Sequence, residues 1–194
     1  MNLPNKLTLT RLCLVPIMII FYVVAWEIGQ VWALWVSTAV YIIAAVTDFL
    51  DGKIARGTGC VTTLGKFLDP IADKVLTISA LVMVLPYSIA IRLPSPYFVI
   101  GVIIIIIREF VVSGLRQSAA SAGKVIAADM FGKIKAFVQD IAVPLIMMLP
   151  VLSSWWVGLT YLTWAVFGVS VILTILSGIN YIWVNRSVFM SGDK

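Results

Sequence analysis

Six long apolar runs separated by short polar breaks constrain this chain more than any other feature. They cover roughly Leu12 to Trp26, Val31 to Ala55, Gly65 to Leu85, Pro96 to Leu115, Phe131 to Leu149 and Trp155 to Val184. A helix needs about 20 consecutive apolar residues to cross the hydrocarbon of a bilayer, and each run approaches or exceeds that length, the first being the shortest. Soluble domains are roughly 45–50% apolar, whereas this 194-residue chain is 61% apolar with a mean hydropathy of +1.07. The expected fold is therefore an all-α integral membrane protein with six transmembrane helices. The breaks at Glu27 to Gln30, Gly57 to Leu64, Pro86 to Pro94, Gln117 to Asp129 and Pro150 to Ser154 are turn-like. No composition shift or long linker divides the chain, so residues 1–194 are expected to form a single domain.

Ahead of the first run, Leu3, Leu7 and Leu9 oppose Asn5, Lys6, Thr8 and Arg11. Leu12 to Ala25 resembles the apolar part of a signal peptide, with Val23-Val24-Ala25 as a cleavage site. The spans that follow favour instead an uncleaved first helix preceded by a short amphipathic helix on the membrane surface. Placing the N-terminus in the cytoplasm puts all fourteen Lys and Arg except Arg92 at or just inside the cytoplasmic boundary. That asymmetry orients the chain N-in and C-in in the cytoplasmic (inner) membrane. Trp26, Trp32, Trp155 and Trp156 then form an aromatic belt near the opposite face. The net charge of +5 is scattered between apolar runs without an aromatic-interleaved patch, so no nucleic acid is expected as a partner. Membrane lipids and phosphate-bearing substrates account for it better. Cys13 and Cys60 both fall near the cytoplasmic face, where a disulfide is not expected.

The most specific stretch lies on that face. It reads Asp48-x-x-Asp51-Gly52-x-x-Ala55-Arg56, eight residues, then Gly65-x-x-x-Asp69-x-x-x-Asp73. On helices, Asp48, Asp51, Gly52 and Ala55 share one face, as do Asp69 and Asp73. Two carboxylate pairs thus face each other across a hairpin, and four like charges at the edge of a low-dielectric medium require neutralising cations. Oxygen-only ligands point to Mg²⁺, Mn²⁺ or Ca²⁺ rather than zinc. The competing reading pairs the carboxylates with Lys53, Arg56, Lys66 and Lys74 in an inert ion-pair belt. Gly52 and Ala55 open a slot for a flat group, and close helix packing explains their small size equally well. Arg56 either forks onto a phosphate oxygen or complements the helix C-terminus.

Asp48, Asp51, Gly52, Ala55, Arg56, Gly65, Asp69 and Asp73 together resemble the signature of the CDP-alcohol phosphatidyltransferases. The resemblance implies that the four Asp hold two divalent cations, Mg²⁺ or Mn²⁺. These would bind the diphosphate of a CDP-linked lipid, with Asp73 also the general base for the acceptor hydroxyl. It assigns Gly52, Ala55, Arg56 and Thr62 to the nucleotide and diphosphate, and it implies a homodimer and a short N-terminal helix on the cytoplasmic surface. Paired ions in such sites sit roughly 3.5–4 Å apart and clamp the attacking and leaving oxygens.

A second constellation is Arg108-Glu109-Phe110, Gly114-Leu115-Arg116 and Gly132-Lys133-x-Lys135. Arg108 and Arg116 are about two helical turns apart and share a face. With Lys133 and Lys135 they form a pocket for a second phosphate beside the carboxylates, the competing reading being cations that snorkel to lipid headgroups. Glu109, separated from five isoleucines only by Arg108, marks this turn as packed inside protein and suits a partner that orients one of the arginines. These segments, with Asn5, Thr8, Arg11 and the turn from Leu68 to Lys74, are similar to the branch of the family that makes phosphatidylglycerol phosphate. The implied substrates are CDP-diacylglycerol and glycerol-3-phosphate. Serine would leave the four cations without a purpose, and inositol phosphate is the nearer rival acceptor. A cation transporter built on the Asp quartet would place polar residues on both faces. Asp140 belongs to no recognisable motif.

Overall fold

Backbone groups that cannot reach water must pair within their own segment, and the apolar runs accordingly fold as helices. A computed structural model describes the backbone of residues 3–58, 63–90, 95–121 and 130–190, and side chains at 8–47, 71–72, 74–86, 96–120 and 130–186. In order these are α1 (Leu3–Ile28), α2 (Val31–Thr58), α3 (Thr63–Ala90), α4 (Ser95–Ser121), α5 (Met130–Met147), α6 (Leu149–Trp155) and α7 (Val157–Met190). Arg92 and Lys124 lie outside the described residues.

Three stretches, Thr8–Ile28, Pro96–Ala120 and Val157–Arg186, are long and apolar enough to cross a membrane alone, and α5 with α6 makes a fourth if the bent pair counts as one span. Among the described residues α2 and α3 contribute the shorter apolar stretches Val31–Thr47 and Lys74–Pro86. The chain is thus an all-helical membrane protein.

Helix α1 runs unbroken from Leu3 to Ile28 with Pro16 inside it, so the amphipathic start and the first apolar run are one element. It stops at Gly29, whose φ of 72° is left-handed and open to glycine without strain. Pro86, where a break is expected, lies inside α3, which is helical through Ala90. Pro150 to Ser154, expected as a turn, is helical. The helical ladder continues from the Pro144 carbonyl to the Met148 N–H at 3.0 Å. Pro150 then sits in the first turn of α6, where a missing N–H costs nothing, and the two axes meet at 69°.

Helix α1 packs on α2 and α3, α7 packs on α4 and α5, and α3 joins the two halves through α4 and α5. Met18, Tyr41, Leu81, Phe98, Ile105 and Ile146 are fully buried at the centre. Helix α4 turns Phe98, Val102 and Ile105 inward and leaves Ile100, Ile103 and Ile107 exposed, as a lipid-facing helix must. Because lipid is as apolar as leucine, close packing rather than burial from water holds such helices together. Gly101 shows how close: a Cβ there would lie 2.8 Å from the Phe167 ring, which itself stacks on Phe98 with centroids 4.9 Å apart.

Candidate active site

Helix α2 continues without interruption to Thr58, so Asp48, Asp51, Gly52, Ala55 and Arg56 all belong to one helix. Helix α3 begins at Thr63 and carries Gly65, Asp69 and Asp73. The three-and-four spacing therefore applies on both helices, which touch each other and are both packed on α1. Thr62 and the side chains of Asp48, Asp51, Ala55, Arg56, Asp69 and Asp73 lie outside the described part of the structure. Among the described residues no cluster of three or more His, Cys, Asp or Glu could hold a metal ion. With no His anywhere in the chain, the donor set of this hairpin is carboxylate oxygen, which suits a hard divalent cation.

The second constellation is described in full, and it centres on Glu109. One carboxylate oxygen, Oε1, accepts from Arg108 Nη1 at 3.3 Å and from the Lys135 ammonium of α5. Arg108 Nη2 donates to the Ser177 hydroxyl of α7. Lys74 of α3, next in sequence to Asp73, also lies within electrostatic reach of Glu109. Side-chain exposure is 14% for Arg108 and Glu109 and 4% for Lys135. Charges this far from water need such partners, since an unpaired buried charge costs several kcal/mol. Glycines make the room: a Cβ on Gly178 would stand 3.3 Å from Arg108 Cγ, and one on Gly132 would stand 3.8 Å from its Nη2.

Of the four cations expected to form one pocket, Arg108 and Lys135 are brought together by Glu109. Arg116 is exposed and lies over the Tyr181 ring, 5.9 Å from its centroid, and Lys133 is exposed on α5. Lys135 is thus a buried ion-pair partner, where an open cation was expected. Glu109 does orient an arginine, and it holds the lysine as well. Ser177 and Tyr181 belong to no motif. Their one sequence signal is a polar stripe on an apolar helix: Thr163, Ser170, Thr174 and Ser177 recur at helical spacing on α7 and are all buried. On α1, Thr8 and Arg11 are likewise 1% exposed and engaged in polar interactions, one turn apart on the face turned inward.

The sequence profile of the CDP-alcohol phosphatidyltransferase family matches residues 1–176. The chain is 41% identical over 155 residues to a Bacillus subtilis protein named CDP-diacylglycerol--glycerol-3-phosphate 3-phosphatidyltransferase, covering 76% of this chain and 77% of that one. Proteins of the same name from Salmonella paratyphi A and Rickettsia bellii are 36% identical over 189 residues and 31% over 191. These alignments cover 95% of both chains for the first and 97% for the second.

Proposed function

The chain belongs to the CDP-alcohol phosphatidyltransferase family, and from that premise we propose that it transfers the phosphatidyl group of CDP-diacylglycerol to glycerol-3-phosphate, giving phosphatidylglycerol phosphate and CMP. The observation that carries the choice of acceptor is the buried Arg108–Glu109–Lys135 cluster, flanked by Arg116 and Lys133. One carboxylate between two buried cations leaves the cluster with a net positive charge, which a phosphate on the acceptor neutralises and an acceptor without one does not.

The C1 hydroxyl of glycerol-3-phosphate attacks the lipid-side phosphorus in line with the departing CMP. Asp73 accepts the hydroxyl proton, which needs one carboxylate oxygen within about 2.6–3.2 Å of it. Arg108, Arg116, Lys133 and Lys135 hold the acceptor phosphate, while Gly52, Ala55, Arg56 and Thr62 hold the nucleotide and diphosphate. Asp48, Asp51, Asp69 and Asp73 are the residues that would hold two divalent cations, Mg²⁺ or Mn²⁺. Such ions supply neutralisation of the diphosphate and stabilisation of the leaving oxygen.

Six spans, an N-in and C-in orientation and an interfacial start to α1 fit the same reading. The carboxylate hairpin then sits at the cytoplasmic boundary of the inner membrane, where lipid tails enter from the bilayer and the soluble substrates from cytoplasm. The whole chain acts as one domain, and two copies form a homodimer. The deciding experiment supplies purified protein and CDP-diacylglycerol with glycerol-3-phosphate, serine or inositol phosphate in turn and measures CMP release. Release with glycerol-3-phosphate alone is expected, and equal release with serine would overturn the assignment.

A further inference from the structure

We propose that Glu109 and Ser177 are positioning residues that aim Arg108, and through Glu109 also Lys135, at the acceptor phosphate. The inference rests on the acceptor reading above and extends it to the part of the site contributed by α7. A guanidinium carries five N–H donors. Here Nη1 is tied to Glu109 and Nη2 to Ser177, which fixes the plane of the group from two sides. Nε is buried and has no hydrogen-bond partner among the described residues. The glycines of α5 and α7 open the space that the Arg108 side chain occupies, since a Cβ at Gly178 would stand 3.3 Å from Cγ. A guanidinium clamped in this way keeps donors free in one fixed direction, which is how a planar fork recognises a tetrahedral oxyanion. Lys135, which donates to the same carboxylate oxygen, is placed by the same anchor.

Charge alone makes the opposite prediction. Neutralising Glu109 leaves the pocket one unit more positive, and that would tighten binding of any anion. Glu109 and Arg108 are only 14% exposed, so the added charge is weakly screened and opposes the loss of the direct contacts within one variant. Two substitutions at one residue separate the effects. Glu109→Gln removes the charge and keeps the length, and Glu109→Asp keeps the charge and withdraws it by one methylene. Placement requires both to raise KM for glycerol-3-phosphate, by about ten- to a hundredfold, with KM for CDP-diacylglycerol unchanged within about twofold. Ser177→Ala, which removes one hydroxyl and is tolerated sterically, is expected to raise the same KM about three- to tenfold.

The assay varies the two substrates separately on the full-length protein in lipid, with inorganic phosphate as a competing anion. Its inhibition constant against the acceptor should rise in all three variants. A lower KM in Glu109→Gln with wild-type behaviour in Glu109→Asp would make Glu109 a charge regulator and overturn the proposal. Unchanged acceptor kinetics in Ser177→Ala and Glu109→Asp, or equal losses toward both substrates, would also overturn it by reducing the cluster to a helix clamp. Should the wild-type protein prefer a different alcohol, the acceptor assignment falls. The positioning claim then stands or falls on whether the variants lose inhibition by inorganic phosphate.

Discussion

Replacing Arg116 by Ala separates phosphate recognition from packing, because the structure limits what packing contributes. The side chain is exposed, and the contact that holds it is the Tyr181 ring with its centroid 5.9 Å away. A cation over an aromatic face at an exposed site contributes about 0.5–1 kcal/mol. Lost alone, that would change an equilibrium by about two- to fivefold. A charge-assisted contact to a substrate phosphate contributes about 1.5–3 kcal/mol, which corresponds to about ten- to a hundredfold. Arg116→Ala is therefore expected to raise KM for glycerol-3-phosphate at least about tenfold, or to lower kcat if the contact tightens in the transition state. CDP-diacylglycerol binding should hold, and Arg56→Ala should show the opposite bias. Steady-state kinetics with each substrate varied at saturating levels of the other measure both effects. A change below about fivefold, or one shared equally by the two substrates, refutes the phosphate role and leaves Arg116 as a stacked surface cation.

The carboxylates, the orientation and the packing each give a further expectation. Asn at any one of Asp48, Asp51, Asp69 or Asp73 should abolish CMP release without lowering the thermal midpoint, and most activity surviving in two of the four at saturating Mg²⁺ would remove the metal assignment. In a Cys13→Ser background, native Cys60 should be shielded from a membrane-impermeant thiol reagent in intact cells, while Ser153→Cys should label; the reverse pattern would put the site on the other face. Gly101→Ala places a methyl 2.8 Å from the Phe167 ring and should cost about 1–3 kcal/mol of stability through overpacking. Thermal unfolding in detergent measures that cost, and an unchanged midpoint would mean that α4 and α7 separate freely.

Helix positions were legible because apolar runs and their breaks are local. Gly29 marks the end of α1 by its own conformation, and the spacing of Asp48, Asp51, Asp69 and Asp73 needs only helical register. The bend between α5 and α6 was half legible, since Pro150 announces a break but also opens a new helix. The partners of Arg108 were not legible in the same way. Ser177 is 69 residues away in the chain and Lys135 is 26 from Glu109, so no local pattern links them. A polar residue on an apolar helix does say that it requires a partner, because hydrocarbon offers none. Glu109 after five isoleucines, Ser177 in the buried stripe of α7 and Lys135 on α5 each state that requirement separately. Only the packing of α4 and α5 on α7 shows that they answer one another, and that Lys135, which reads in sequence as an open phosphate ligand, is already held by a carboxylate before any substrate arrives.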